Sequence, residues 1–154
     1  MKIAIAADHA GLEYKTLLIP DLQKAGHEVY DLGTHNLDPD DYPDRATAIA
    51  ELILQRNADR GILICGSGVG VSVAANKYKG IRAGVCHDTY TAHQCVEHDD
   101  ANVLCIGERV IGIEVAREVV LAFVKAEFSH EPRHQRRIDK IAAIENKNMK
   151  EETI

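Results

Sequence analysis

What this chain lacks narrows its options first. There is no excess of positive charge: 18 Lys and Arg stand against 24 Asp and Glu, a formal net charge of −6. No face can then be broadly basic without compensation elsewhere, and nucleic acid is not expected as a partner. No apolar run approaches membrane-span length, and the opening MKIAIAADHAG reaches Asp8 and His9 too soon for the apolar core of a signal peptide. The four cysteines (Cys65, Cys86, Cys95 and Cys105) form no Cys-x-x-Cys pair, so zinc and a redox dithiol are not expected and reduced thiols in a cytoplasmic protein fit best. Repeats, low-complexity tracts and linkers are missing too, which predicts a single domain over residues 1–154.

What is present alternates. Strands are expected at Lys2–Ala7, His27–Leu32, Ile62–Cys65, Ile81–Cys86 and Asn102–Ile106. Between and after them fall helices at about Leu12–Ala25 (with a kink or break at Pro20), Asp44–Asn57, Val71–Lys77, Asp88–His98 with Asp88 as N-cap, and Gly112–Phe128. Five alternations predict an α/β fold with a parallel, doubly wound sheet. An extra C-terminal helix, Arg133–Lys147, has no strand to return to; it either packs on a second subunit or caps its own domain. The polar stretch Gly33–Pro43 reads as a surface loop with a possible functional role.

The chain is organised around Gly61–Lys77, GILICGSGVGVSVAANK. A buried strand ends at Cys65, a loop carries Gly66, Gly68 and Gly70, and a small-residue helix follows. Such a strand, loop and helix N-terminus make an anion cradle. It is no P-loop, because Gly-Lys-Ser/Thr is missing, and the dinucleotide fingerprint fails at Val71. Cys65 has two readings: a small buried hydrophobe, or a base at the cradle's lip, where a helix terminus favours thiolate.

Ligands of open parallel sheets bind beyond the carboxyl ends of the strands. Asp8 and His9, the loop with Thr34, His35 and Tyr42, Cys65, His87 and Asp88, and Glu108 and Arg109 all fall there. Each has a plainer reading. Asp8 could cap the first helix, and His98 and Asp99 could be solvated groups at a helix end. Arg133, His134, Arg136 and Arg137 could be a solvated helix face, although Arg133 and Arg137 lie one turn apart and can share an anion.

Together, Asp8-His9-Ala10-Gly11, Asp41-Tyr42-Pro43, Ile64 to Gly70, Ala74 to Lys77, Gly80 to Ala83, His98 to Leu104, Gly107 to Val110 and Arg133-His134-Gln135 resemble type B ribose-5-phosphate isomerase, of the family shared with the galactose-6-phosphate isomerase subunits. The resemblance covers nearly the whole chain in order. It implies a Rossmann-like three-layer α/β/α sandwich with strand order 2-1-3-5-4. It also implies an aldose–ketose isomerase needing no metal or cofactor, acting in the non-oxidative branch of the pentose phosphate pathway. The expected assembly is a homodimer, sometimes paired into tetramers, with active sites shared between subunits.

By the same resemblance Cys65 is the base that moves the proton between C1 and C2, while Ser67 with Gly66, Gly68 and Gly70 holds the enediolate. Asp8, His9 and Tyr42 contact the sugar. His98 opens the furanose ring from the partner subunit, and Arg109, Arg133, His134 and Arg137 grip the phosphate. One position departs from the family: Asp99 stands where Asn usually contacts the sugar. The resemblance makes ribose 5-phosphate the expected substrate, and the departure at Asp99 keeps allose 6-phosphate, galactose 6-phosphate or erythrulose 4-phosphate as alternatives. From another class, a non-catalytic sugar-phosphate-binding protein stands against it, disfavoured by the intact Cys65.

Overall fold

Side chains alternate across a strand, and here both faces are covered, so the central strands are apolar throughout. The computed structural model describes residues 1–149; the last residues of the expected domain lie outside them. Beyond their first residues, β1 (Lys2–Ala7) and β3 (Arg60–Cys65) are wholly buried, as is all of β5 (Val103–Gly107). The edge strands β2 (Glu28–Asp31) and β4 (Ala83–Val85) are only partly covered. All pairings are parallel in the order β2-β1-β3-β5-β4, the expected topology.

Helices α1 (Leu12–Lys24), α4 (Thr89–Asp99) and α5 (Ile113–Lys125) cover one face. Leu18, Leu22, Val96 and Phe123 pack there on Ile3, Ile5, Ile62, Ile64, Leu104 and Ile106. The opposite face is floored by smaller residues, Ala4, Ala6, Cys65 and Cys105, beneath α2 (Tyr42–Leu54) and α3 (Val69–Ala75). Each fully buried aliphatic side chain contributes roughly 1.5–3 kcal/mol. Helix α6 (Pro132–Asn148) lies outside these layers against α4, and His134 is its one buried residue.

Several boundaries differ from expectation. Helix α1 runs unbroken across Pro20. Thr16, whose carbonyl loses its partner there, is exposed along with Pro20, so the carbonyl can turn to water. Helix α2 begins at Tyr42 rather than Asp44, with Pro43 in the first turn, where its missing N–H costs nothing. Helix α3 starts two residues earlier than expected, at Val69, because Gly68 takes a left-handed φ of 80° and turns the chain at once. Strand β4 is shorter than Ile81–Cys86, since Ile81 closes a turn onto the Tyr78 carbonyl, and α5 stops at Lys125, short of Phe128.

Candidate active site

Three central strands deliver polar residues to one rim, where a cavity of about 480 Å³ opens. Asp8 and His9 line it from the end of β1, Cys65 and Ser67 from β3, and Arg109 from the turn after β5. Tyr42 enters from the first turn of α2.

Cys65 is 5% exposed, and its Sγ accepts the Gly68 N–H at 3.0 Å. Ser67 Oγ takes the next amide, that of Val69, at 3.2 Å. The Gly70 and Val71 amides, in the first turn of α3, have no protein partner among the described residues. Glycine is required where Tyr42 closes on the loop: a Cβ on Gly70 would lie 2.9 Å from the Tyr42 ring. The loop is also tied to β5, with Glu108 N–H donating to the Cys65 carbonyl at 2.9 Å and Arg109 N–H to that of Gly66 at 3.1 Å. Those bonds hold the Arg109 guanidinium beside Gly66.

Asp8 is 6% exposed, and its Oδ1 accepts the Ala10 N–H at 2.9 Å. Burial pushes this carboxyl above its ordinary range and Asp40 adds to the rise, against opposing pulls from the Ala10 amide, His9 and Arg109. His9 is held through its backbone, whose N–H donates to Asp40 Oδ1 at 3.1 Å, and Arg45 Nε donates to the other Asp40 oxygen at 2.8 Å. Sequence reasoning missed Asp40 and Arg45. They act through the flagged polar loop, and nothing in their spacing marks them.

The remaining expected site residues form a second group, away from this cavity in the same chain. His98, at the end of α4, lies against the His134 ring of α6 with centroids 4.0 Å apart. His134 Nδ1 pairs with Ser129 Oγ at 2.6 Å, while its Nε2 is buried with no hydrogen-bond partner among the described residues. Burial first, then the neighbouring His98, holds the His134 imidazole below its ordinary pKa. Arg133 is exposed and donates to Glu131 at 2.7 Å; Arg137 is exposed. Asp99 lines a different cavity, between α4, β4 and α6. Of the expected residues, the structure thus brings Asp8, His9, Tyr42, Cys65, Gly66, Ser67, Gly70 and Arg109 together, with Gly68 at their floor. It sets His98, Asp99, Arg133, His134 and Arg137 apart from them within one chain. Among the described residues no three His, Cys, Asp or Glu side chains gather as metal ligands, and no helix is long and apolar enough to cross a membrane.

The arrangement offers a thiol, a buried carboxyl, an imidazole and a guanidinium around backbone amides. That set can move a proton next to a developing oxyanion. Comparison with known proteins points the same way. The ribose/galactose isomerase family profile matches residues 3–141. Ribose-5-phosphate isomerase B of Escherichia coli is 44% identical over 146 residues, 95% of this chain and 97% of that one. D-erythrulose-4-phosphate isomerase 2 of Mycolicibacterium smegmatis is 42% identical over 148 residues, covering 94% and 97%. The structure of ribose-5-phosphate isomerase B from Clostridium thermocellum superposes with a TM-score of 0.93 at 48% identity, covering 96% of this chain and 99% of that one.

Proposed function

The chain belongs to the ribose/galactose isomerase family, and from that premise we propose that it interconverts ribose 5-phosphate and ribulose 5-phosphate, with Cys65 as the proton-transfer base. The observation that carries this reading is the Cys65 sulfur at the lip of a cavity whose floor supplies unpaired amides and whose wall supplies Arg109.

An aldose and its ketose differ by one proton moved between neighbouring carbons. In the open-chain aldose the Cys65 thiolate takes the proton from C2, and the electron pair forms the C1–C2 double bond as negative charge builds on O1. The resulting cis-enediolate is met by amide donors of the Gly66–Gly70 loop; one well-placed donor of this kind is worth about 3 kcal/mol. The thiol then returns its proton to C1 while the O2 proton passes to O1, so that O2 becomes the ketone and O1 the C1 hydroxyl. Asp8, His9 and Tyr42 contact sugar hydroxyls. The phosphate is remote from the reacting carbons, so its binding energy goes into orientation.

In this reading the site is completed by a second copy. His98, to open the ring, and Arg133, His134 and Arg137, to hold the phosphate with Arg109, come from the partner. Their separation from Cys65 within one chain supports this, as does the unpartnered Nε2 of His134. Exposed apolar side chains on α3 and the β4 edge, Val69, Val73 and Val85, offer a surface for that copy.

The erythrulose-4-phosphate isomerase relative and the Asp99 departure make a tetrose phosphate the second substrate to examine. The test is proton NMR of the pure enzyme in D2O with ribose 5-phosphate, D-erythrulose 4-phosphate, allose 6-phosphate and galactose 6-phosphate. Aldose–ketose interconversion with deuterium entering at the reacting carbons is expected, fastest for ribose 5-phosphate. Faster turnover of another sugar would reassign the substrate, and no turnover of any would leave the binding-protein reading.

A further inference from the structure

We propose that His87 is a positioning residue of this site: its neutral imidazole continues the β-ladder past the end of β4, holding Gly107 and thereby the floor under the Cys65 loop. The inference rests on the isomerase reading for its kinetic consequence, though not for its geometry.

Strand β4 pairs with β5 at Val103, Leu104 and Cys105, and the ladder's last backbone bond runs from Cys86 N–H to the Cys105 carbonyl at 3.2 Å. Strand β5 continues to Gly107, which faces Cys65 of β3 on its other side. With a two-residue repeat, the Gly107 amide points to the same side as Cys105, where β4 has already ended. A buried amide left there would cost about 1–3 kcal/mol. His87 Nε2 accepts it at 2.9 Å.

Gly107 supports the catalytic loop directly. A Cβ at this position would lie 2.6–2.7 Å from the Ser67 backbone, so that backbone rests against Gly107 itself. Gly68, whose amide holds the Cys65 sulfur, also packs on this strand, where a Cβ would lie 2.9 Å from the Ile106 backbone and 3.2 Å from the Gly107 nitrogen. The next two amides, Glu108 and Arg109, hold the Cys65 and Gly66 carbonyls. A displaced Gly107 would therefore move the thiol, the amide donors and Arg109 together, and small misplacements of reacting groups are costly.

The bond needs an Nε2 without a proton. Neutral imidazole must then carry its hydrogen on Nδ1, and imidazolium would set donor against donor. Burial holds His87 below its ordinary pKa of 6.5, and Asp88, at the N-cap of α4, is the charged neighbour acting the other way. The ladder bond is thus intact at neutral pH and is lost on acidification.

Two variants and one spectroscopic measurement test this. Gln in His87→Gln presents an oxygen near the place of Nε2 and takes up no proton; His87→Leu fills similar space without an acceptor. His87→Leu is expected to lower kcat at least about tenfold with KM within about threefold, and His87→Gln to stay within about threefold of wild type at neutral pH. As pH falls below 6.5, log kcat of the wild type should come to fall more steeply than that of His87→Gln, by about one proton. Nitrogen-15 NMR of the wild type should show His87 protonated at Nδ1 and bare at Nε2, with a slowly exchanging Gly107 amide. Wild-type kcat in His87→Leu, loss of kcat in His87→Gln equal to that in His87→Leu, or an Nε2-protonated tautomer would each overturn the proposal. Should the enzyme turn over no sugar phosphate, the tautomer and the Gly107 amide still decide whether His87 holds the ladder.

Discussion

Cys65 and Asp99 sit in different surroundings. Cys65 is enclosed, with a donor on its sulfur. If it transfers the proton, Cys65→Ala should lose about three orders of magnitude in kcat, within the range for general-base loss. In the proposed site other side chains, Arg109 among them, hold the phosphate, so substrate binding measured by calorimetry should persist; near-normal turnover would end the assignment. Asp99 is exposed and belongs to the α4–β4–α6 cavity of its own chain. A carboxylate about 4 Å from an enediolate would cost several kcal/mol at an effective dielectric near 20, so a working enzyme keeps it away. Asp99→Asn is therefore expected to leave kcat/KM on ribose 5-phosphate within about twofold. A larger gain, or a switch of preferred sugar, would mean that the carboxylate faces the reacting carbons.

At the level of elements, capping signals were readable where they depend on neighbours in sequence. Asp88 was expected as the N-cap of α4, and its Oδ1 accepts the Thr91 N–H at 2.8 Å while Oδ2 accepts the Thr91 hydroxyl at 2.8 Å. Asp88→Ala should lower unfolding free energy by about 1 kcal/mol in urea titrations; an unchanged midpoint would show that the α4 terminus is held by tertiary contacts alone. The start of α1 uses a cap that local sequence cannot reveal. Gly11 makes no side-chain bond there, and Glu108, 94 residues away, accepts the Tyr14 N–H at 3.1 Å. Tyr14 in turn donates to the Ile111 carbonyl at 2.7 Å, locking α1 to the turn that carries Arg109.

For the whole molecule, two behaviours follow. A site shared between subunits can be rebuilt from two defective chains. If the site is shared in a dimer as proposed, equal mixing of Cys65→Ala and His98→Ala proteins should give about half heterodimers, each with one intact site of two, hence about a quarter of wild-type activity. Continued inactivity after proven subunit exchange would put both residues in one chain's site. Stability should also fall on acidification. Burial is the first cause holding His27, His87 and His134 below the ordinary 6.5. Between that value and their folded values the unfolded chain binds more protons, so their contribution, full above 6.5, is lost as pH falls through the folded values. Asp8 and Glu108 are shifted upward mainly by burial, and their contribution has the opposite sign, lost as pH rises through their folded values. Calorimetric Tm should drop from pH 6.5 downward, and a flat Tm across that window would contradict the buried-imidazole picture.

The parallel architecture was legible in the sequence because it rests on local patterns: apolar runs of strand length, helical periods between them, and glycines where the chain turns. The placement of Asp8, Cys65 and Arg109 on one rim followed from the same alternation, since residues just after parallel strands must share an edge. The resemblance supplied the strand order. The rest was decided by contacts between distant segments. Whether Pro20 breaks α1 depended on which side of the helix faces water. The two groups of site residues, one around Cys65 and one around His98 and His134, separate only once α4 and α6 are packed. Asp40 behind His9 and His87 beneath Gly107 are polar residues whose partners lie 31 and 20 positions away, and no periodicity records a hydrogen bond across such a distance.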